Sequence, residues 1–239
     1  MTVDLRGVRA VLLPGTGSDH DYVRRAFSAA LRGGGAILVA PAPRTSGLTA
    51  GYWADLDNAA RDGRIAVGGV SIGAAVAVAW ALAHPDRTVA VLAALPAWNG
   101  APGTAPAALA ARHTAAMLRR DGIDATVEMM RTSSPPWLAE ELSRSWRGQW
   151  PGLPDAMEDA SRYVAPSLAG MAGLTVPLGV AGVVDDPVHP VDVAAAWADA
   201  APCAALRTVT LAELGADPAV LGAACLGALD SASLGRSRS

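Results

Sequence analysis

Residues 64–87 read RIAVGGVSIGAAVAVAWALAHPDR. Ile65 to Val70 is a short apolar run rich in β-branched residues. After Ser71-Ile72-Gly73 the composition changes to Ala, Val, Trp and Leu, without Gly or Pro until His84-Pro85. That change predicts a buried strand, a tight turn and a buried helix. Gly69 and Gly73 also spell G-x-x-x-G inside a nearly charge-free run of membrane-spanning length, the pattern of a transmembrane dimerisation helix. Three glycines between Gly68 and Gly73, and the β-rich first half, argue against one continuous helix.

Across the turn, Gly69-Val70-Ser71-Ile72-Gly73 spells G-x-S-x-G, the pattern of a nucleophile elbow. A side chain at the tip of a strand-to-helix turn needs a strained backbone to point its hydroxyl away from the sheet. The packed neighbours then leave no room for a Cβ, which Gly69 and Gly73 satisfy. The following helix aims its free amides and positive dipole end at the same point, where an oxyanion would be stabilised. Without that chemistry the same residues would form only a strand-turn-helix with an idle serine.

The 239 residues suit one α/β domain with a sizeable core, or a domain plus a modest insertion. A net charge of -3 gives no support to a nucleic-acid partner. All 19 basic residues are Arg, which excludes catalytic lysine chemistry. Residues Met1 to Arg6 have no basic region followed by an apolar one, so the expectation is a cytoplasmic protein without a membrane partner. Cys203 and Cys225 lack paired spacing and read as buried thiols. No metal-ligand cluster and no cofactor motif is expected, and the oligomeric state is left open.

Strands are expected at Val8–Leu13, Ala36–Ala40, Ile65–Val70, Thr88–Leu95, Val176–Val184 and Leu206–Leu211, with helices near Asp21–Leu31 and Tyr52–Ala60. Such alternation of apolar strands with helices implies a mostly parallel six-stranded sheet covered on both faces. Ligands of these sheets bind beyond the carboxyl ends of the strands where the winding reverses. A reversal between the first and third strands would make the Pro14–Asp19 loop a neighbour of Ser71. Gly15-Thr16-Gly17 invites a dinucleotide reading, but His20 stands where the third glycine would fall and Ala40-Pro41 where an acid is needed.

Roughly eighty residues separate the fourth and fifth strands, too many for an ordinary crossover. They carry helical patterns near Ala105–Arg120, Ile123–Arg131, Pro136–Arg147 and Pro154–Ala165. Trp98, Trp137, Trp146 and Trp150 concentrate there, so a helical cap walling an apolar pocket for a small-molecule substrate is expected, with Trp98 and Trp137 as pocket residues. The alternative is that these tryptophans fasten the cap to the core. The division expected is a core of residues 1–97 and 174–230, a cap of residues 98–173 and a flexible tail of residues 231–239.

With the elbow, the Pro14-Gly15-Thr16 loop, the cap position and the fifth-strand ending, the chain resembles the α/β-hydrolase superfamily, from Val8 to about Leu229. The resemblance implies Ser71 as nucleophile and the amides of Ile72 and Thr16 as the oxyanion hole. The ending Gly182-Val183-Val184-Asp185-Asp186-Pro187-Val188-His189-Pro190 is similar to the G-x-x-D-x-x-x-P turn that presents the acid. Counting on from Gly182 selects Asp185 and counting back from Pro190 selects Asp186. The following Pro187 favours Asp186.

The departure lies in the histidine. The family order is serine, acid, then histidine after the last strand, but that loop reads Leu214-Gly215-Ala216-Asp217-Pro218, with Ala216 where the base is expected. His84 reads as the end of the elbow helix and His113 as a cap surface residue. His189, three residues past Asp186, ranks first as a substitute base and His20 second, while Asp217 is an unassisted carboxylate alternative. His189 reads equally as a residue opening the helix toward Trp197. The resemblance thus implies a serine esterase or thioesterase acting through an acyl-Ser71 intermediate. The alternatives are a cyclase, dehydratase or lyase using the pocket without a complete triad, or a silent binding protein.

Overall fold

The strand, turn and helix expected around Ser71 are present. The computed structural model describes residues 3–235, with strands β1 (Arg9–Leu13), β2 (Ile37–Val39), β3 (Ile65–Val70), β4 (Thr88–Ala94), β5 (Leu178–Val183) and β6 (Ala204–Val209). All pair parallel in one sheet of order β2-β1-β3-β4-β5-β6. Every residue of β3 and β5 is buried, whereas β2 and β6 at the two edges are partly exposed. Continuous apolar runs thus fill the centre and the weaker runs fall at the margins, as a sheet covered on both faces requires.

The two faces follow the period-two alternation of the strands. Val11, Val67, Val91 and Val180 point to one side, beneath α2 (Leu48–Ala59), α3 (Ile72–Ala83) and α8 (Val191–Ala200), where Tyr52, Trp80 and Trp197 complete the core. Leu12, Ala66, Leu92 and Ala181 point to the other, beneath α1 (His20–Gly33) and α10 (Ala219–Gly235) with Phe27, Leu31, Leu221 and Leu229. Helix α3 is apolar all round because it is buried nearly all round. No helix among the described residues is long and apolar enough to cross a membrane, so Gly69 and Gly73 belong to an elbow rather than a dimerising span.

Between β4 and β5 lie α4 (Pro106–Ser133), α5 (Pro136–Gln149), α6 (Leu153–Arg162) and the single turn α7 (Leu168–Met171); α9 (Leu211–Ala216) follows β6. The two helices expected before Pro136 are joined end to end in α4, broken only at Gly122, where φ 79 and ψ 178 leave the helical region. A small third core of Leu118, Val127, Trp146, Leu153 and Met157 holds these helices together. The tail expected from Ser231 needs correction: α10 continues through Gly235, and the Ser231 and Ser233 hydroxyls donate to the carbonyls of Gly227 and Leu229 one turn back. Residues 236–239 lie outside the described residues.

The sheet order reverses between β1 and β3, since β2 lies on one side of β1 and β3 on the other. The β1–α1 loop and Ser71 meet at that switch point, beyond the carboxyl ends of the strands, where sheets of this kind bind their ligands.

Candidate active site

Ser71 sits between β3 and α3 with φ 55 and ψ -117, a left-handed conformation for a residue with a Cβ. Such a backbone costs roughly 1–3 kcal/mol and persists only where the surroundings impose it. They do so here by close approach. A Cβ on Gly73 would lie 2.4 Å from the Leu13 carbonyl oxygen, and one on Gly69 would lie 2.4 Å from the same atom. The Ser71 amide donates to the Ala94 carbonyl (2.9 Å), so β4 pins the elbow from its other side.

The β1–α1 loop packs directly on the elbow. A Cβ on Gly15 would come within 3.4 Å of the Ser71 Cβ. Thr16 follows in a turn closed by the Ser18 amide on the Gly15 carbonyl (3.1 Å). Ile72 opens α3, where main-chain amides have no partner inside the helix. Neither the Thr16 nor the Ile72 amide donates to a protein acceptor among the described residues.

The acid loop completes the arrangement. Asp186 Oδ1 accepts from the amides of Val188 (2.7 Å) and His189 (3.3 Å), which folds Asp186–His189 into a tight turn. Its Oδ2 accepts from His189 Nδ1 (2.8 Å), and His189 Nε2 lies 3.0 Å from Ser71 Oγ. An ionised carboxylate only accepts, so the neutral imidazole carries its proton on Nδ1. Nε2 is thereby left to accept from the serine hydroxyl. One carboxylate therefore both builds the turn and orients the ring.

Electrostatics favour the ionised carboxylate. Burial alone would raise the Asp186 carboxyl, but the His189 ring beside it and the two turn amides together hold it below the ordinary carboxylate value. Tyr22, packed near enough to feel the Asp186 charge, is pushed up to about 12, first by burial and then by the charges of Glu141 and Asp186. It stays a neutral phenol beside the acid loop.

The other sequence candidates sit elsewhere. Asp185 accepts from the Leu211 amide (2.7 Å), tying the acid loop to the start of α9, so the ambiguity between adjacent acids resolves into two separate hydrogen-bonding tasks. Asp217 is exposed and accepts from the Ala219 amide (2.8 Å), capping α10. His20 opens α1, and its Nδ1 is buried without a hydrogen-bond partner among the described residues. The structure brings neither of these to Ser71. His84 packs against Trp53 and Trp80, and His113 is exposed on α4.

Two clefts flank α5. One, of about 380 Å³, lies between Tyr22, Trp137, Glu141, Leu214 and Gly215. The other, of about 470 Å³, lies between His20, Pro43, Thr45, Gln149 and Trp150. Trp137 thus lines a cleft at the loop after β6. Trp98 lines neither of these two clefts: its ring is buried in the core and its indole N–H donates to the Tyr163 carbonyl (3.2 Å), which fastens the cap. Asp19, Asp21 and Glu141 bring three carboxylate oxygens within 4.8 Å of one another. Arg25 pairs with Asp21 and Glu141, and Arg144 with all three acids, so the group reads as an ion-pair cluster rather than a metal site.

Arg144, one of the two arginines in that cluster, is the part of the site that sequence reading missed. Arg144 on α5 grips Asp19, the residue that caps α1 and ends the loop carrying Thr16. Asp19 itself is legible as a helix-capping residue, but nothing local signals a partner 125 positions away.

No family model and no curated protein matches the sequence. Solved structures do resemble it in shape. A hydrolase from Pseudomonas aeruginosa PA01 superposes with a TM-score of 0.66 at 20% identity, over 96% of this chain and 92% of that one. A thermophilic esterase from Thermogutta terrifontis gives 0.65 at 19% identity, over 86% of this chain and 81% of that one. The enol-lactonase from Burkholderia xenovorans LB400 gives 0.64 at 19% identity, over 86% and 83%. With its parallel six-stranded sheet, its elbow at Ser71 and its helical insertion after β4, the chain has the α/β-hydrolase fold.

Proposed function

We propose that the protein is a serine hydrolase of small or medium esters or thioesters, with Ser71 as nucleophile, His189 as general base and Asp186 as the residue that orients it. The observation that carries this reading is the unbroken hydrogen-bonded line from Asp186 Oδ2 through His189 Nδ1 and Nε2 to Ser71 Oγ, with spacings of 2.8 and 3.0 Å. Its histidine comes from the acid's own turn, three residues on, instead of from the loop after the last strand. The names of the structural neighbours, an esterase and a lactonase among them, are compatible with acyl transfer.

In the first step Ser71 Oγ bonds to the substrate carbonyl carbon and its proton passes to His189 Nε2. The carbonyl π pair moves onto oxygen, facing the amides of Ile72 and Thr16. Collapse expels the alcohol or thiol, which takes the proton from His189 and leaves acyl-Ser71. Water then attacks with His189 again as base, and Ser71 leaves with the returned proton. Non-hydrolytic chemistry gained its appeal from the lack of a base on the last loop. A histidine at hydrogen-bond distance from Ser71 removes that ground.

The test is turnover of short p-nitrophenyl esters and acyl thioesters by the wild-type protein, Ser71→Ala and His189→Gln. Loss of turnover in both variants supports the reading. Undiminished turnover in Ser71→Ala refutes it.

A further inference from the structure

We infer that Arg144 and Gln149, on the cap helix α5, are positioning residues that hold the Thr16 loop in its oxyanion-binding shape; this rests on the hydrolase reading above. The loop is clamped from two sides. Toward the sheet, Gly15 lies against the Val70 carbonyl and the Ser71 Cβ. Toward the cap, each of the three residues after Thr16 is engaged by α5.

Gly17 takes φ 74, and a Cβ there would lie 2.6 Å from the indole nitrogen of Trp146. The Ser18 carbonyl accepts from Gln149 Nε2 (3.0 Å), which is itself steadied by the Ser145 hydroxyl oxygen at 2.8 Å, one helical turn away. Asp19 accepts from Arg144 through both oxygens, at 2.6 and 3.1 Å, while its Oδ1 also caps the Asp21 and Tyr22 amides at 3.0 Å each. A two-pronged guanidinium–carboxylate contact fixes orientation as well as distance.

The loop's own hydrogen bonds are few, chiefly the Ser18 amide on Gly15 and the Val23 amide on Asp19. Its conformation is therefore set by its neighbours. The Thr16 amide direction follows from the placement of residues 17–19, and a donor aimed at a developing charge loses most of its effect when it is turned away. Cap docking and acyl chemistry are thereby linked through one short segment, although α5 itself carries none of the reacting groups.

The experiment compares wild type, Arg144→Ala, Gln149→Glu and the outer-face control Arg147→Ala, whose side chain is exposed and, among the described residues, pairs only with Asp124. Gln149→Glu keeps the shape of the side chain but presents an acceptor to the Ser18 carbonyl. It also guards against a folding failure in Arg144→Ala. The readout is the second-order rate of labelling by a fluorophosphonate, in which the Ser71 Oγ–P bond forms, fluoride leaves and the hydroxyl proton passes to His189, together with amide exchange over residues 14–19.

The expected result is roughly tenfold slower labelling and faster exchange in both variants, with Arg147→Ala unchanged and ester KM within about twofold of wild type. Labelling rates equal to wild type, whatever the melting temperatures, would overturn the positioning role and leave the hydrolase reading intact. Equal labelling of wild type and Ser71→Ala would defeat that reading and this inference together.

Discussion

Replacing Asp186 by Asn isolates the orientation of the base. Asn has the same shape and keeps one acceptor oxygen, which can go on receiving the Val188 and His189 amides now bound at 2.7 and 3.3 Å. Its NH2 then faces His189 Nδ1 in place of the Oδ2 that accepts at 2.8 Å. Nδ1 must become an acceptor, the ring proton moves to Nε2, and Nε2 no longer takes the Ser71 proton across its 3.0 Å contact. A wrong tautomer of this kind lowers kcat by roughly 10³- to 10⁴-fold.

The stability cost is far smaller, about 1–2 kcal/mol for one charge-assisted hydrogen bond. It also depends on pH. Folding holds the Asp186 carboxyl below its ordinary value, so its contribution is present at neutral pH and lost as pH falls below about 4 through that depressed value. The gap in denaturant midpoint between wild type and Asp186→Asn should therefore close in acid. Ester turnover and urea unfolding at pH 7 and pH 3 read both effects. A folded Asp186→Asn with kcat within tenfold of wild type would show that Asp186 does not orient the base.

Further outcomes follow from the same coordinates. His20→Ala and Asp217→Ala should each keep turnover within about threefold of wild type, because neither side chain hydrogen-bonds Ser71 among the described residues; a loss of a hundredfold in either would move the base away from His189. Gly73→Ala should fail to give folded protein by circular dichroism, since its Cβ would sit 2.4 Å from the Leu13 carbonyl oxygen and 2.8 Å from the Pro14 carbonyl oxygen, both backbone atoms; a variant melting within a few degrees of wild type would contradict the elbow packing. Asp19→Asn should be destabilised at pH 7, by an amount that shrinks as pH falls below about 4. Burial raises that carboxyl, but Arg144 and the α1 amides outweigh it and hold it low, so its contribution too disappears in acid.

What could be read from the sequence was whatever depends on neighbours along the chain. Gly69 and Gly73 betray the elbow because the crowding they relieve recurs at fixed spacing. Asp186 and His189 lie within one turn, so their contact needs only local geometry, and the D-P-V-H-P string holds the whole device. The α4 break was legible as two helices because Gly122 interrupts the pattern, but not that they join end to end.

The rest depends on partners far away in sequence. Trp98 and Trp137 look alike in composition, yet one is buried against Tyr163 and the other stands over Gly215 at a cleft, a difference set by how the cap lies on the core. The grip of Arg144 on Asp19 spans 125 residues. The serine-rich stretch from Ser231 suggests a loose tail, but helix α10 absorbs its first five residues by bonding hydroxyls to its own carbonyls.

Whether Ser71 is a nucleophile activated by His189 is read most directly by intact mass and peptide mapping after exposure to a fluorophosphonate. The expected result is one adduct per chain, on Ser71, absent from Ser71→Ala and slowed by at least a hundredfold in His189→Gln. A wild-type protein that stays unlabelled, or an adduct whose rate is the same in His189→Gln, would contradict it.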